Sequence, residues 1–321
     1  MIEHILRKVA ENLPLSSGDA VALLKTDNQS SDFYRLIGTA NELSRREYAS
    51  RGYLFAQIGL NAAPCSGGCK FCSLGAEGYA VEETFQKSLP QVLELVETLA
   101  KERLDSLFLM STADYPFETF LEIGGAVRRQ LPPGIRLIAN YGDFDLAQAQ
   151  RLKAAGFHGA YHIVRLREGV DTDIPKERRL RTLDAIRASG LELYYCVEPI
   201  GPEHTYEELA EEMLRAREYG VDVMAVMGRI GVPGTACASR GEVSDLELTK
   251  IAAVTRLVTR PKRSMNVHEP KAMPLLAGVN QLYAELGANP RDNQKNTETG
   301  RGKSLTEIAQ MLRSAGYQIE K

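Results

Sequence analysis

The stretch Tyr53-Leu-Phe-Ala-Gln-Ile-Gly-Leu60, followed closely by Cys65-Ser-Gly-Gly-Cys69-Lys-Phe-Cys72, decides the reading of this chain. The first part is an apolar run of strand length. The second is a C-x3-C-x2-C loop, and clustered thiolates on short loops are what an iron–sulfur cluster needs. Three thiolates leave one iron of a four-iron cluster without a protein ligand, open to a substrate or cofactor. A structural zinc site closes with a fourth ligand. The nearest His downstream is His158, far outside the usual spacing.

Outward from this stretch, short apolar runs alternate with helical patterns. The later runs are Leu107–Met110, Ile135–Ala139, Ala160–Val164, Leu191–Val197, Val221–Met227, Ser264–Val267 and Gln281–Ala284. Helical periodicity fills the gaps at Glu82–Lys101, Phe117–Gln130, Leu146–Ala155, Lys176–Ser189, Thr205–Tyr219, Asp245–Val258 and, briefly, Lys271–Ala277, with a last helix at Leu305–Ala315. Eight strand–helix units predict an α/β fold, a (β/α)8 TIM-type barrel over 51–321, preceded by an amphipathic helical extension over 1–50. A doubly wound open sheet is the alternative with the same alternation. The polar segment 289–302 reads as a long loop after the last strand. Barrel active sites lie at the C-terminal strand ends, so the cysteine loop and the residues ending the other runs are expected around one mouth.

Composition narrows the class. The 321 residues are 44% hydrophobic with a net charge of −3, enough for a large core and without a basic field for nucleic acid or an anionic membrane. Five cysteines, three within one short loop, argue against a secreted disulfide scaffold. No apolar stretch reaches transmembrane length, and the N-terminus has no signal-peptide pattern. The expectation is a soluble protein of a reducing, oxygen-poor cytoplasm.

The cysteine spacing, with Phe71 directly before the last Cys, resembles the signature of radical S-adenosylmethionine (SAM) enzymes. The resemblance implies a [4Fe–4S] cluster on Cys65, Cys69 and Cys72, SAM on the open iron, and Phe71 beside the cofactor. It implies one-electron cleavage of SAM to a 5′-deoxyadenosyl radical that abstracts hydrogen from an unactivated C–H bond, with ferredoxin or flavodoxin as electron donor. Such enzymes commonly carry a Gly-rich stretch after the second strand. Here Met110-Ser-Thr-Ala-Asp stands instead, so Ser111 and Thr112 are the SAM-binding candidates, against a plain turn. Asn140 ends the third run, against an Asx-turn role. The fourth run leads into Arg165-Leu-Arg167-Glu168. By the period of two, Arg165 and Arg167 share a face, and a guanidinium there suits the SAM carboxylate. A rim salt bridge with Glu168 is the alternative.

Around the fifth run the chain resembles biotin synthases, whose corresponding strand ends in a Cys that ligates a second, sacrificial cluster. Cys196 matches that position. The segment from about 225 to 321 resembles the C-terminal module of the biotin and thiamin synthase group. The further cysteines usual on the second and third strands are missing. A second iron–sulfur cluster would therefore need Cys196 and Cys237 together, completed by His162, His268 or Arg263. Buried structural thiols are the alternative. His268 is a proton-relay or ligand candidate, with Asn280, Tyr283 and Glu285 expected around the cavity.

Three functions remain open. One is sulfur insertion at an unactivated carbon of a small-molecule or carrier-bound acyl substrate, as in biotin or lipoyl synthesis, the latter alongside a partner radical SAM protein. Another is carbon-skeleton rearrangement or cofactor maturation with a single cluster, as in methylornithine synthase and hydrogenase-maturase relatives. The third is a non-catalytic iron–sulfur or zinc protein. Replacing Cys65, Cys69 or Cys72 with Ala is expected to abolish both the brown chromophore and SAM cleavage. Chromatographic assay of 5′-deoxyadenosine checks this, and a variant that still produces it would contradict the ligand assignment.

Overall fold

The computed structural model describes residues 2–319. Eight parallel strands close into a barrel: β1 Tyr53–Gly59, β2 Ser106–Met110, β3 Arg136–Asn140, β4 Gly159–Tyr161, β5 Glu192–Ile200, β6 Val223–Gly228, β7 Ser264–His268 and β8 Gln281–Leu286. Each pairs with its sequence neighbour, and β1 pairs with both β2 and β8. The open-sheet alternative is therefore excluded by closure itself.

Three helices precede the barrel: α1 Glu3–Ala10, α2 Ser17–Leu24 and α3 Ser31–Glu47. Those around it are α4 Leu89–Ala100, α5 Phe117–Gln130, α6 Leu146–Ala154, α7 Lys176–Ser189, α8 Tyr206–Glu218, α9 Asp245–Thr259 and α10 Leu305–Ser314. A 3-10 turn, Met273–Ala277, replaces the helix expected at Lys271–Ala277.

The leading helices cover α8 and α9, which explains why every residue of α9 from Leu248 to Thr259 is buried. Burial on that scale traps a charge, Arg256. Its guanidinium pairs with Glu47 at the end of α3 and lies 4.8 Å from the centre of the Tyr48 ring.

Two sequence expectations change. The helix expected at Glu82–Lys101 starts at Leu89, where Ser88 and Gln91 form a capping box and Pro90 suits the first turn. Residues Phe85–Gln86 pair instead with Asn61–Ala62 in a short antiparallel ladder. The run Ala160–Val164 is extended only through Tyr161, after which the chain leaves the sheet.

Inside the barrel, alternation puts Phe55, Phe108, Ile138, Tyr194, Val223 and Tyr283 into one apolar cluster. Phe108 meets Phe55 and Tyr194 with ring centres 5.5 and 5.4 Å apart. The interior is filled below the mouth, and only the upper layer is free for chemistry.

The join between barrel and C-terminal loop is tight at Gly59, the last residue of β1. A Cβ there would stand 2.6 Å from the Ala288 backbone. Gly59→Ala is expected to destabilise the fold by about 1–3 kcal/mol through overpacking. Gly38→Ala, in α3 with nothing within 4 Å of the new methyl, is expected to stabilise it by about 0.5–1 kcal/mol. Denaturant unfolding of the two variants measures both signs.

Candidate active site

The inward positions one layer above the aromatic floor are polar. Gln57, Asn140, Tyr161, Glu198, Asn266 and His268 line a cavity at the C-terminal strand ends. Its empty volume is about 1230 Å³, space open to solvent included.

Cys65, Cys69, Phe71 and Cys72 line the same cavity. A Cβ on Gly67 would lie 3.6 Å from Cys65 Sγ and 3.7 Å from Cys69 Sγ, so these two thiols flank one point. The Ala113 amide donates to Cys65 Sγ and the Leu74 amide to Cys72 Sγ, at 3.4 and 3.3 Å. Amide donors aimed at sulfur are what cluster-bound thiolates use. Burial chiefly, and Cys69 beside it, pushes the Cys72 thiol up to about 12. A metal is what keeps such a thiol deprotonated. The three thiols thus fit an iron–sulfur cluster with one iron left open.

The cysteine loop is held from four sides. Asp114, after β2, accepts from the Ser66 amide at 2.6 Å and from its hydroxyl at 2.5 Å. After β4, the Asp171 carbonyl accepts from the Lys70 amide and the Asp173 amide donates to the Gly67 carbonyl. After β6, the Cys237 amide donates to the Lys70 carbonyl at 2.9 Å. After β8, the Pro290 carbonyl accepts from the Ser73 amide at 2.9 Å.

Of the SAM-binding candidates, Ser111 lines the cavity with a buried hydroxyl that has no protein partner. Thr112 also lines it, but its hydroxyl and amide are engaged reciprocally by Asn61. Asn140 donates to Gln57 at 3.1 Å.

Arg165 lines the cavity, and its buried Nη1 has no hydrogen-bond partner. Burial opposes its charge, but Cys69, Glu168 and Glu198 outweigh it and hold the guanidinium charged. Glu168 stands behind as a brace, 3.8 Å from Arg165 Nη1 and 3.3 Å from Arg179 Nε.

Arg167 does not share this face. Beyond Tyr161 the period of two no longer applies, and Arg167 has a left-handed backbone with φ 56°. It turns outward to Glu208 and the Glu203 carbonyl.

Cys196 and Cys237 sit in different surroundings. Cys196 points inward beside Glu198 and His268, with potential ligand atoms all within 4.8 Å of one another. Cys237 belongs to no such group among the described residues. It lies near Arg240 and Asp171, with its amide supporting the cysteine loop. Neither completing ligand from β4 or β7's start is available either. Arg263 lies at the opposite end of the barrel, bound to Glu192. His162 stacks near Phe144 and faces Asp143 at 3.4 Å, outside the cavity lining. Asn280, expected at the cavity, bridges Met265 and Arg51 near the strand starts.

His268 packs edge-on to Tyr283, ring centres 4.7 Å apart. Burial, then Arg291, keeps its imidazole far below the usual pKa and hence neutral.

Several lining residues escaped the sequence reading, among them Gln57, Asn266, Arg179 and Arg291. Gln57 was legible in principle, as a polar residue at an inward position of an apolar run. Asn266 was legible on the same ground. Arg179 stands in α7 among other basic residues and carries no local signal. Arg291 comes from the segment read as a connecting loop. It bonds Glu269 at 2.7 Å, Tyr283 at 2.5 Å and Glu285 at 2.7 Å.

No family model matches this sequence. It is 27% identical over 298 residues to a biotin synthase of Desulforudis audaxviator, covering 88% of this chain and 89% of that one. Methylornithine synthase (PylB) shares the fold with a TM-score of 0.81 at 18% identity, covering 98% of this chain and 97% of the other. The FeFe-hydrogenase maturase HydG of Carboxydothermus hydrogenoformans does so with a TM-score of 0.81 at 19% identity, over 98% and 78%.

Burial raises the Glu285 carboxyl from 4.5 to about 7, against the opposing pull of Arg291. The folded state then binds this proton more tightly than the unfolded chain. Its contribution to stability is complete below about 4.5 and is lost as pH rises through about 7. Glu285→Gln is expected to flatten that part of the stability–pH curve, measured by denaturant unfolding across the interval. An unchanged slope would place the proton elsewhere.

Proposed function

We propose that this chain, a biotin synthase-like radical SAM protein, abstracts hydrogen from a small polar substrate held in the barrel mouth and completes a carbon-skeleton rearrangement or fragmentation with one cluster. The observation that carries the single-cluster reading is the difference in surroundings of the two remaining thiols. Cys196 gathers with Glu198 and His268, while Cys237 supports the cysteine loop from behind.

Cys65, Cys69 and Cys72 hold the [4Fe–4S] cluster. Bound there with SAM, it supplies one-electron chemistry and a hydrogen-abstracting radical. Arg165 binds the SAM carboxylate through its unpartnered Nη1, and Glu168 holds the Arg165 backbone by accepting from its amide at 2.9 Å. Ser111 offers the nearby free hydroxyl. Asn266, whose buried Oδ1 is also unpartnered, contacts the substrate on the opposite wall. The aromatic floor closes the cavity below and excludes water from the reacting carbon.

Sulfur insertion is the second reading, favoured by similarity to biotin synthases over nine-tenths of this chain. It requires a sulfur donor, which Cys196 together with Cys237 would have to hold.

Arg165→Ala is expected to weaken SAM binding by about 1.5–3 kcal/mol, the scale of a charge-assisted hydrogen bond, without loss of iron. Equilibrium dialysis of SAM against the reconstituted protein checks this. The same preparation should hold about four irons per chain. About eight, falling to four in Cys196→Ala, would overturn the single-cluster reading in favour of sulfur insertion.

A further inference from the structure

Carboxylates buried around this barrel mouth are matched by arginine almost everywhere. Glu168 faces Arg165 and Arg179, Glu269 and Glu285 share Arg291, and Glu203 pairs with Arg229. Glu198 is the exception. It is 7% exposed, and no Lys or Arg forms an ion pair with it among the described residues. Glu198 helps hold Arg165 charged without lying within salt-bridge reach of it, so a cation bound directly to this carboxylate displaces no ion pair.

The neighbours of Glu198 identify the kind of cation. Cys196 and Glu198 lie two apart on β5 and face inward together. His268 ends β7 beyond β6, with Met227 of β6 beside it in register and Ala225 beside Cys196. The small Ala225 leaves room for the Cys196 thiol and the imidazole to approach across the intervening strand. Sulfur, carboxylate oxygen and ring nitrogen lie within 4.8 Å of one another. Tetrahedral ligands at ordinary bond lengths stand roughly 3.3–3.8 Å apart, a contraction that small side-chain rotations supply. Neither His268 nitrogen has a protein hydrogen bond among the described residues, though Nδ1 lies 3.9 Å from Glu198. The Tyr161 hydroxyl donates to Glu198 at 2.9 Å, the outer contact that orients a metal-binding carboxylate.

We propose that Cys196, Glu198 and His268 bind one divalent transition-metal ion, of the Zn²⁺, Fe²⁺ or Co²⁺ class, separate from the iron–sulfur cluster. A substrate ammonium group would satisfy Glu198 but leave the thiol, a weak acceptor, and the imidazole without a strong partner. A borderline-soft metal takes all three ligand types. Three protein ligands leave a coordination position open to the cavity, where an oxygen or nitrogen atom of the substrate binds. The other gathering of ligand atoms, Asp171, Glu203 and His204, is already neutralised by Arg240 and Arg229 and has no such vacancy.

The test uses the reconstituted protein, in which iron occupies Cys65, Cys69 and Cys72, dialysed anaerobically against Co(II). Cobalt content and cobalt-edge X-ray absorption are then read, neither of which depends on SAM turnover or on the proposed reaction. One cobalt per chain is expected, with one sulfur neighbour among lighter atoms. Cys196→Ser should remove the sulfur neighbour, and His268→Ala should weaken binding roughly tenfold or more. Glu198→Gln, nearly isosteric, provides the same loss of affinity if a cysteine variant fails to fold. Absence of stoichiometric cobalt, or a sulfur neighbour that persists in Cys196→Ser, would overturn the proposal. Cobalt-free protein that binds a primary amine only when Glu198 is intact would assign the site to a substrate ammonium instead.

Discussion

Everything at this barrel mouth depends on holding three thiols toward one cavity, with backbone amides donating to two of the sulfurs. A loop of small residues cannot do this alone, because glycines at 67 and 68 leave the backbone free to move. The constraint comes from outside the loop. Hydrogen bonds from the segments after β2, β4, β6 and β8 fasten Ser66, Gly67, Lys70 and Ser73. Barrel closure brings those four segments to one end, so the convergence of the cysteines is a consequence of topology. The position of Cys237 gains a reason as well, since its amide is one of these fastenings.

Charge divides the cavity into two ends. Near the cysteines stand Arg165 and Arg179, close enough together that burial and mutual repulsion lower the Arg179 pKa. Glu168, with no exposed side-chain surface, offsets part of that repulsion. Glu198 helps hold Arg165 charged without a direct ion pair, and Arg291 is taken up by Glu269 and Glu285. An anionic group is drawn to the arginines and a cation to the Glu198 carboxylate. The aromatic floor strengthens both effects by keeping water out from below.

The C-terminal segment has a larger part than a connection would. Residues 289–291 bond the cysteine loop through Ser73 and insert Arg291 beside Tyr283 and Glu285. This segment therefore links cluster loop and cavity wall mechanically. Most of the segment beyond Asp292 is exposed, as its polarity suggests, but Asn289, Asp292 and Thr297 are buried, at 1%, 4% and 0%.

The sequence by itself determined the alternation of strands and helices, the α/β barrel class, and the three cysteines at the end of the first strand. These are local facts, set by periodicity and by spacing within one loop, and the strand positions agree with the structure to within a few residues. It also indicated Arg165, Ser111 and His268, because the end of a barrel strand is recognisable once the strand is. Only tertiary structure decided how these groups combine. Arg167 left the face of Arg165 because the fourth strand ends early and the chain turns through a left-handed residue. Cys196 and Cys237 fell into separate surroundings because one lies within a strand and the other on a loop that folds back over the cysteine segment. Arg291 and Arg179 became cavity residues through contacts with groups distant in sequence, which no period along the chain encodes. Direction within an element is written locally, but proximity between elements is fixed by closure of the barrel and by the need to pair each buried charge.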